Sequence, residues 1–215
     1  VEAAVLSNFV HLFLWQGCID EALETAVRAE RVSARLKELY IYVRNRGAVA
    51  YAHWILTGSE ADVAQVLETT AWLEENGSHQ LMATVYARLA EIMAAKGDRQ
   101  QSRRYVACTL KRMRVGDCFG GEAALRSLAR IEARRENFAQ AERYLGRAMR
   151  TARSRGARPD IAINDLCAAE IALARGQGEQ ARVLLNQAEM AFAQMEMRSH
   201  AAEAARLRSG AATLS

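Results

Sequence analysis

The sequence predicts an all-α fold, an α-solenoid (superhelix) of about five antiparallel helix-turn-helix repeats plus a C-terminal capping helix. Three observations predict it. Proline occurs once in 215 residues, at Pro159, which argues against the turn-rich sandwiches and barrels that draw on proline and glycine. Alanine, leucine, arginine and glutamate dominate, and these are strong helix formers. The chain is also self-similar with a period near 40 residues, the mark of a repeat array.

The register rests on five turn markers. Gly17, Gly58, Gly97, Glu136 and Gly176 are separated by 41, 39, 39 and 40 residues. Five residues past each marker stands a small or modest side chain: Ala22, Val63, Ser102, Ala141 and Ala181. Four further on come Ala26, Leu67, Val106, Leu145 and Leu185, and three beyond those Ala29, Thr70, Thr109, Ala148 and Ala188. An i, i+4, i+7 set is one face of an α-helix, so each marker introduces a helix with the same buried stripe. Upstream of each marker lies a second apolar-periodic segment, such as Leu6, Phe9, Val10 and Phe13, or Tyr86, Leu89, Ala90 and Met93.

Gly77, Gly116 and Gly156 end the second helix of the middle repeats, as glycines accepting the left-handed conformation after a helix. Ser59-Glu60-Ala61-Asp62 reads as a helix N-terminus resembling a capping box, and Pro159 suits the first turn of a helix. The unit is therefore helix A, tight turn, helix B, looser turn. It divides a single domain of residues 1–215 into repeats at about 1–36, 37–77, 78–116, 117–156 and 157–197, with a cap at 198–209. The chain opens on Val1 already inside a helical pattern, which reads as a segment of something longer.

The segments Gln16-Gly17-Cys18-Ile19-Asp20-Glu21-Ala22-Leu23 and Arg135-Glu136-Asn137-Phe138-Ala139-Gln140-Ala141-Glu142-Arg143-Tyr144 resemble the turn and second helix of a tetratricopeptide repeat, and Arg175-Gly176-Gln177-Gly178-Glu179-Gln180-Ala181 is similar. The resemblance covers nearly the whole chain in degenerate units. It departs from the family in its period, near 40 rather than 34, and in lacking a proline at the close of each repeat. Long units of this kind are similar to the repeat regions of large bacterial signalling proteins, such as maltose-regulator-type ATP-dependent transcription activators and ATPase-linked cyclases or kinases. The segment from Ala188 through Phe192, Met195 and Met197 to His200-Ala201-Ala202 looks like the tail of such an array, with Ser199 to Leu207 as its cap.

Residues that could carry chemistry do not converge. His11, His53, His79 and His200 fall in different repeats without metal-ligand spacing, and a stack keeps successive repeats apart. Gly116-Asp117-Cys118-Phe119-Gly120-Gly121 lacks the preceding strand and the Gly-Lys-Ser/Thr ending of a phosphate loop, so it reads as a turn. Cys18, Cys108, Cys118 and Cys167 are scattered and read as reduced thiols of a cytoplasmic protein. No apolar run is long enough to span a bilayer. The expectation is no enzyme, no cofactor and no metal.

Charge is the sharper clue. Residues 1–100 carry 9 Lys+Arg against 13 Asp+Glu, and residues 101–215 carry 20 against 12, so the first half is acidic and the second basic. Arg126, Arg130 and Arg134 form a single i, i+4, i+8 stripe on helix A of the fourth repeat. The resemblance implies that helix A lines a concave groove and that Arg126 and Arg130 match positions that clamp a peptide carboxylate in some members. It places Arg134, Asn45, Ala48, His11, Ser7, Trp15, Glu91 and Glu170 along the same groove. A second basic patch is expected on the convex side: Arg143, Arg147 and Arg150 of one helix B, with Arg104 and Lys111 one repeat earlier. Trp54 is expected in the core, and Trp72 on the outer side of helix B.

These features favour a protein- or peptide-binding scaffold, the regulatory or assembly segment of a larger signalling or transcription-regulatory protein. Its partner would be a protein or an acidic peptide, which another domain of the same parent chain could supply. The alternative, from the maltose-regulator resemblance, is a small-molecule effector sensor. Nucleic acid is disfavoured, because no recognition helix is legible and aromatics do not interleave with the arginines. Oligomerisation is left open.

Overall fold

The computed structural model describes residues 2–77, 81–115 and 119–212. His79, Gly116, Asp117 and Cys118 lie outside these residues. Among the described residues the chain forms eleven helices and no strand: α1 (Glu2–Gln16), α2 (Ile19–Leu36), α3 (Leu39–Thr57), α4 (Glu60–Glu75), α5 (Met82–Ala95), α6 (Arg99–Met113), α7 (Gly121–Ala133), α8 (Phe138–Ser154), α9 (Arg158–Ala174), α10 (Gly178–Gln194) and α11 (Arg198–Ala212). This is the expected all-α repeat fold of the solenoid class. The chain divides into two compact units, residues 1–80 and 81–215.

In the first unit α1 packs on α2, α2 on α3 and α3 on α4, while α1 also meets α3. The second unit repeats the scheme from α5 to α11. Each helix there packs on the next, the A helices α5, α7 and α9 touch in sequence, and α11 lies on α10 and α9. Ala201, Ala204 and Leu207 of α11 join Leu185, Ala188 and Phe192 of α10 in one apolar cluster, so α11 closes the last pair as a cap does.

The tight turns follow from the sequence markers. Gly17, Gly97, Glu136 and Gly176 all have positive φ, between 60° and 78°. After each, the next residue returns a backbone bond across the helix end: Cys18 N–H to Phe13 O, Asp98 N–H to Met93 O, Asn137 N–H to Glu132 O and Gln177 N–H to Ala172 O, all at 2.9 Å. This double closure satisfies carbonyls that a helix end would otherwise leave orphaned. The B helices end similarly at Lys37, Gly77, Gly156 and Glu196, again with positive φ. Lys37 and Glu196 are not glycines, and no glycine search could find these two breaks.

The repeated stripe is buried as its spacing requires. Ala22, Ser102, Ala141 and Ala181 are 0% exposed, as are Ala29, Thr109, Ala148 and Ala188. These small side chains let each B helix approach its A helix closely. The second repeat differs: Leu67 is 36% exposed and Val66, one residue earlier, is buried at 2%. Its turn also differs: Gly58 N–H bonds to Trp54 O in a single closure and Ser59 N–H bonds to the Thr57 hydroxyl, while Val63 and Thr70 at the ends of the stripe stay buried at 4%. Trp54 is half-buried and stacked on Tyr51 with ring centroids 5.9 Å apart.

Glu136 holds a left-handed conformation, φ 60°, at an exposed site where the other four markers are glycine. That conformation costs an L-residue about 1–2 kcal/mol, part of which glycine's greater unfolded-state freedom offsets. The Glu136→Gly variant should therefore be more stable by about 1 kcal/mol, read by urea denaturation.

Candidate functional site

The most ordered electrostatic arrangement lies on the A helices of the second unit. Six residues before their turn markers stand Glu91 on α5, Arg130 on α7 and Glu170 on α9, which place alternating charges on consecutive helices. Arg130 grips Glu170 with both arms of its guanidinium, Nε to Oε2 at 2.7 Å and the second nitrogen to Oε1 at 3.1 Å. Two parallel bonds of this kind are the strong form of the arginine–carboxylate pair. Burial works against the Arg130 charge, but Glu170, Cys167 and Glu91 outweigh it and hold the guanidinium above its ordinary pKa.

The other two members of the stripe are engaged as well. Arg126 is 5% exposed and donates to Asp160 Oδ1 and Asn164 Oδ1 of α9, both at 3.0 Å. Arg134 reaches the other way and donates to Ala94 O of α5 at 2.9 Å. The family resemblance implies an open clamp for a foreign carboxylate on this stripe. Tertiary structure gives the three arginines to α5 and α9 instead, where they fasten neighbouring A helices. The partner carboxylates, Asp160 and Glu170, stand 34 and 40 residues away in sequence, one repeat on, which is the signal a pairwise comparison of adjacent repeats could have used.

In the first unit, Asn45 is 0% exposed, and among the described residues neither of its buried side-chain amide atoms has a hydrogen-bond partner. It therefore lines no open groove. Ser7 is likewise buried and accepts from Arg44 Nε at 2.9 Å, with Arg44 only 6% exposed. His11 is half-buried, and Trp15 is 39% exposed. Trp72 is half-buried on α4.

Sequence reasoning missed two buried carboxylates. Glu132 is 0% exposed and accepts from Arg99 Nε at 2.6 Å and from Asn137 Nδ2 at 3.0 Å. Glu122 is 2% exposed and accepts from Arg155 at 3.1 Å. Both join α7 to a residue on or just past a flanking B helix. Burial alone would raise the Glu132 pKa, but the hydrogen bonds from Arg99 and Asn137 prevail and set it below the usual carboxylate range. Burial dominates at Cys167, whose thiol is pushed up to about 11, so it is no thiolate nucleophile at neutral pH.

The outer basic patch is a different environment. Arg104 and Lys111 on α6 and Arg143, Arg147 and Arg150 on α8 are all exposed. Among the described residues none of the five has a carboxylate partner, and Arg104 only lies over the Tyr105 ring, 6.0 Å from its centroid. Between Arg99 and Met113 α6 carries no acidic residue, and on α8 the sole one, Glu142, is taken by Arg175 at 2.6 Å. Tyr144 of α8 and Tyr105 of α6 both pack against the apolar cluster that contains Val106 of α6 and Leu128 of α7. Two successive B helices thus carry unmatched cations.

Among the described residues no group of three or more His, Cys, Asp or Glu side chains could hold a metal ion, and no helix is long and apolar enough to cross a membrane. The architecture defines a helical-repeat protein of the tetratricopeptide-like type. A solved structure shares it: a Rap protein complexed with competence and sporulation factor superposes on this chain with a TM-score of 0.63 at 15% sequence identity, over 100% of this chain and 66% of the other. The chain thus spans about two thirds of that neighbour's length, and at this identity the likeness establishes the fold. No protein-family model matches the chain, and neither does any curated protein.

Two outcomes follow from the internal pairs. Removing the Asp160 carboxylate strands Arg126 as an uncompensated buried cation, so Asp160→Ala should lose about 3 kcal/mol of stability, whereas Arg126→Met combined with Asp160→Leu should lie much closer to wild type. Calorimetric melting of the two variants beside wild type checks this. For Glu132, a pKa below its unfolded value means that its contribution is complete above about pH 4.3 and falls away as pH drops through the lower folded pKa. Stability plotted against pH should show a loss on the acid side of that value that is flatter in Glu132→Gln.

Proposed function

We propose that the protein is a protein-binding repeat scaffold, the regulatory or assembly part of a larger signalling or transcription-regulatory protein of the cytoplasm, and that it takes an acidic protein segment on the outer face of α6 and α8. The observation that carries the reading is the contrast between two sets of arginines. Arg126, Arg130 and Arg134 are already bound by α5 and α9, and a partner reaching them would have to displace Glu170 from Arg130. Arg143, Arg147, Arg150, Arg104 and Lys111 face solvent with their charge unmatched. Arginine presents a planar fork suited to carboxylates, and four arginines and a lysine spread over two successive B helices favour an extended acidic strand or helix over a compact ion. The Rap neighbour, solved in complex with competence and sporulation factor, supports the use of this fold as a platform for a protein or peptide partner.

Titrating a fluorescein-labelled 20-residue Glu/Asp-rich peptide tests the reading by anisotropy. The expected result is saturable binding that weakens between 50 and 300 mM salt, as screened charge contacts must. Arg143→Glu with Arg147→Glu should weaken it tenfold or more while leaving the melting temperature near wild type. Binding that survives this reversal would remove the outer patch from the proposal, and tighter binding to duplex DNA than to the peptide would point to nucleic acid instead.

A further inference from the structure

Outward stripes of the chain carry one pattern in opposite charge. In α8 the buried residues are Ala141, Leu145, Ala148 and Ala152. Arg143, Gly146 and Arg150, at i, i+3 and i+7, therefore share one stripe of the opposite side. Arg143 and Arg150 are exposed and Gly146 is half-buried. Arg104, Ala107 and Lys111 repeat the pattern on α6, all three exposed. In α4 the buried residues are Val63, Val66, Thr69, Thr70 and Leu73, and Glu68, Ala71 and Glu75 stand on the far side at the same spacing, again all exposed. Each stripe sets two like charges seven residues apart, about 10 Å along the helix, with a small residue between them. α4 holds Glu60, Asp62, Glu68, Glu74 and Glu75 and no Lys, Arg or His. Glu68 accepts from the Gln65 amide at 3.0 Å, and among the described residues neither it nor Glu75 is paired with a cation.

Gly146 adds a second observation. A Cβ built there would meet nothing nearer than the Arg150 guanidinium, at 3.6 Å, so packing within the chain does not require glycine at this position. Glycine in a helix interior is less stable than alanine, and its bare backbone leaves a notch between two cations where another backbone can approach closely.

We infer that α4 of one copy of the chain docks on the outer stripe of α8 of a second copy, with Glu68 and Glu75 against Arg143 and Arg150 and with Ala71 seated at Gly146. This contact rests on the outer patch being a docking face for an acidic segment, and it names that segment. The matched spacing selects the occupant. Alanine against glycine lets two helix axes come within about 8 Å, and at that separation both glutamates reach an arginine at once. A structureless acidic tail would have no use for the notch, because long side chains reach the arginines without close approach of backbones. Identical stripes laid face to face would set like charges together, so the contact is heterologous, one surface against a different one.

Sedimentation velocity of the 215-residue chain from about 1 to 200 µM tests this beside the acidic-peptide titration. The expected result is a weight-average sedimentation coefficient that rises with concentration at 50 mM salt and much less at 300 mM, because charge contacts are screened. Glu68→Lys with Glu75→Lys, and separately Arg143→Glu with Arg150→Glu, should each shift the midpoint at least tenfold with unchanged helical circular dichroism. Mixed one to one, the two variants should associate again, since the acidic α4 of one meets the basic α8 of the other. Gly146→Leu leaves every charge in place and should weaken self-association at least tenfold while the Glu/Asp-rich peptide still binds. A chain that stays monomeric while the peptide binds would overturn the inference and leave the acid-binding face standing, and failure of both would remove the face as well. Association indifferent to Gly146→Leu, or not restored by mixing, would also overturn it.

Discussion

Close approach of helices at small buried side chains is the constraint on which the rest of the structure depends. At the fifth and twelfth residues after the turn markers the protein places alanine, serine or threonine at zero exposure in four of five pairs. A larger side chain there would push the B helix off its partner and displace every contact further along. The left-handed residue that closes each tight turn sets the angle at which the B helix departs. The second pair departs from this: it closes on a single bond at Gly58, and the middle of its buried stripe falls on Val66 rather than Leu67, with Val63 and Thr70 still buried at its ends.

On this frame the second unit uses its arginines in two ways. Arg126, Arg130, Arg134, Arg99 and Arg155 reach across helix boundaries to carboxylates or carbonyls. Leaving any of those buried partners bare would be costly, and for that reason the pairs fix which helix lies beside which. Arg143, Arg147 and Arg150 share the same polypeptide but meet no acid among the described residues. An arginine-rich sequence therefore does not translate into a uniformly basic surface. The surface charge that remains is what the internal pairs leave over.

How much of this was legible in the sequence divides along the same line. The helices, their pairing and the capping role of α11 follow from local rules, namely helix propensity, a 3.6-residue period and a repeated turn residue, and each acts within about a dozen residues. Lys37 and Glu196 escaped notice because their turns are closed by residues that merely tolerate positive φ. The candidate site is governed by contacts 30 to 40 residues apart in sequence, such as Arg126 with Asp160 and Arg99 with Glu132. A stripe on one helix says where a side chain points, but only the neighbouring helix says what it meets. Asn45 makes the same point, since its placement on a groove face did not reveal that it is completely buried.

The account stands on the division between bound and unmatched arginines, and the arginine Nε–Hε NMR spectrum reads that division directly. It predicts a slowly exchanging Arg130 signal that an acidic peptide leaves in place, while the Arg143, Arg147 and Arg150 signals exchange rapidly and shift on titration. A fast-exchanging Arg130 signal that moves with the peptide, with the α8 arginines unaffected, would contradict it.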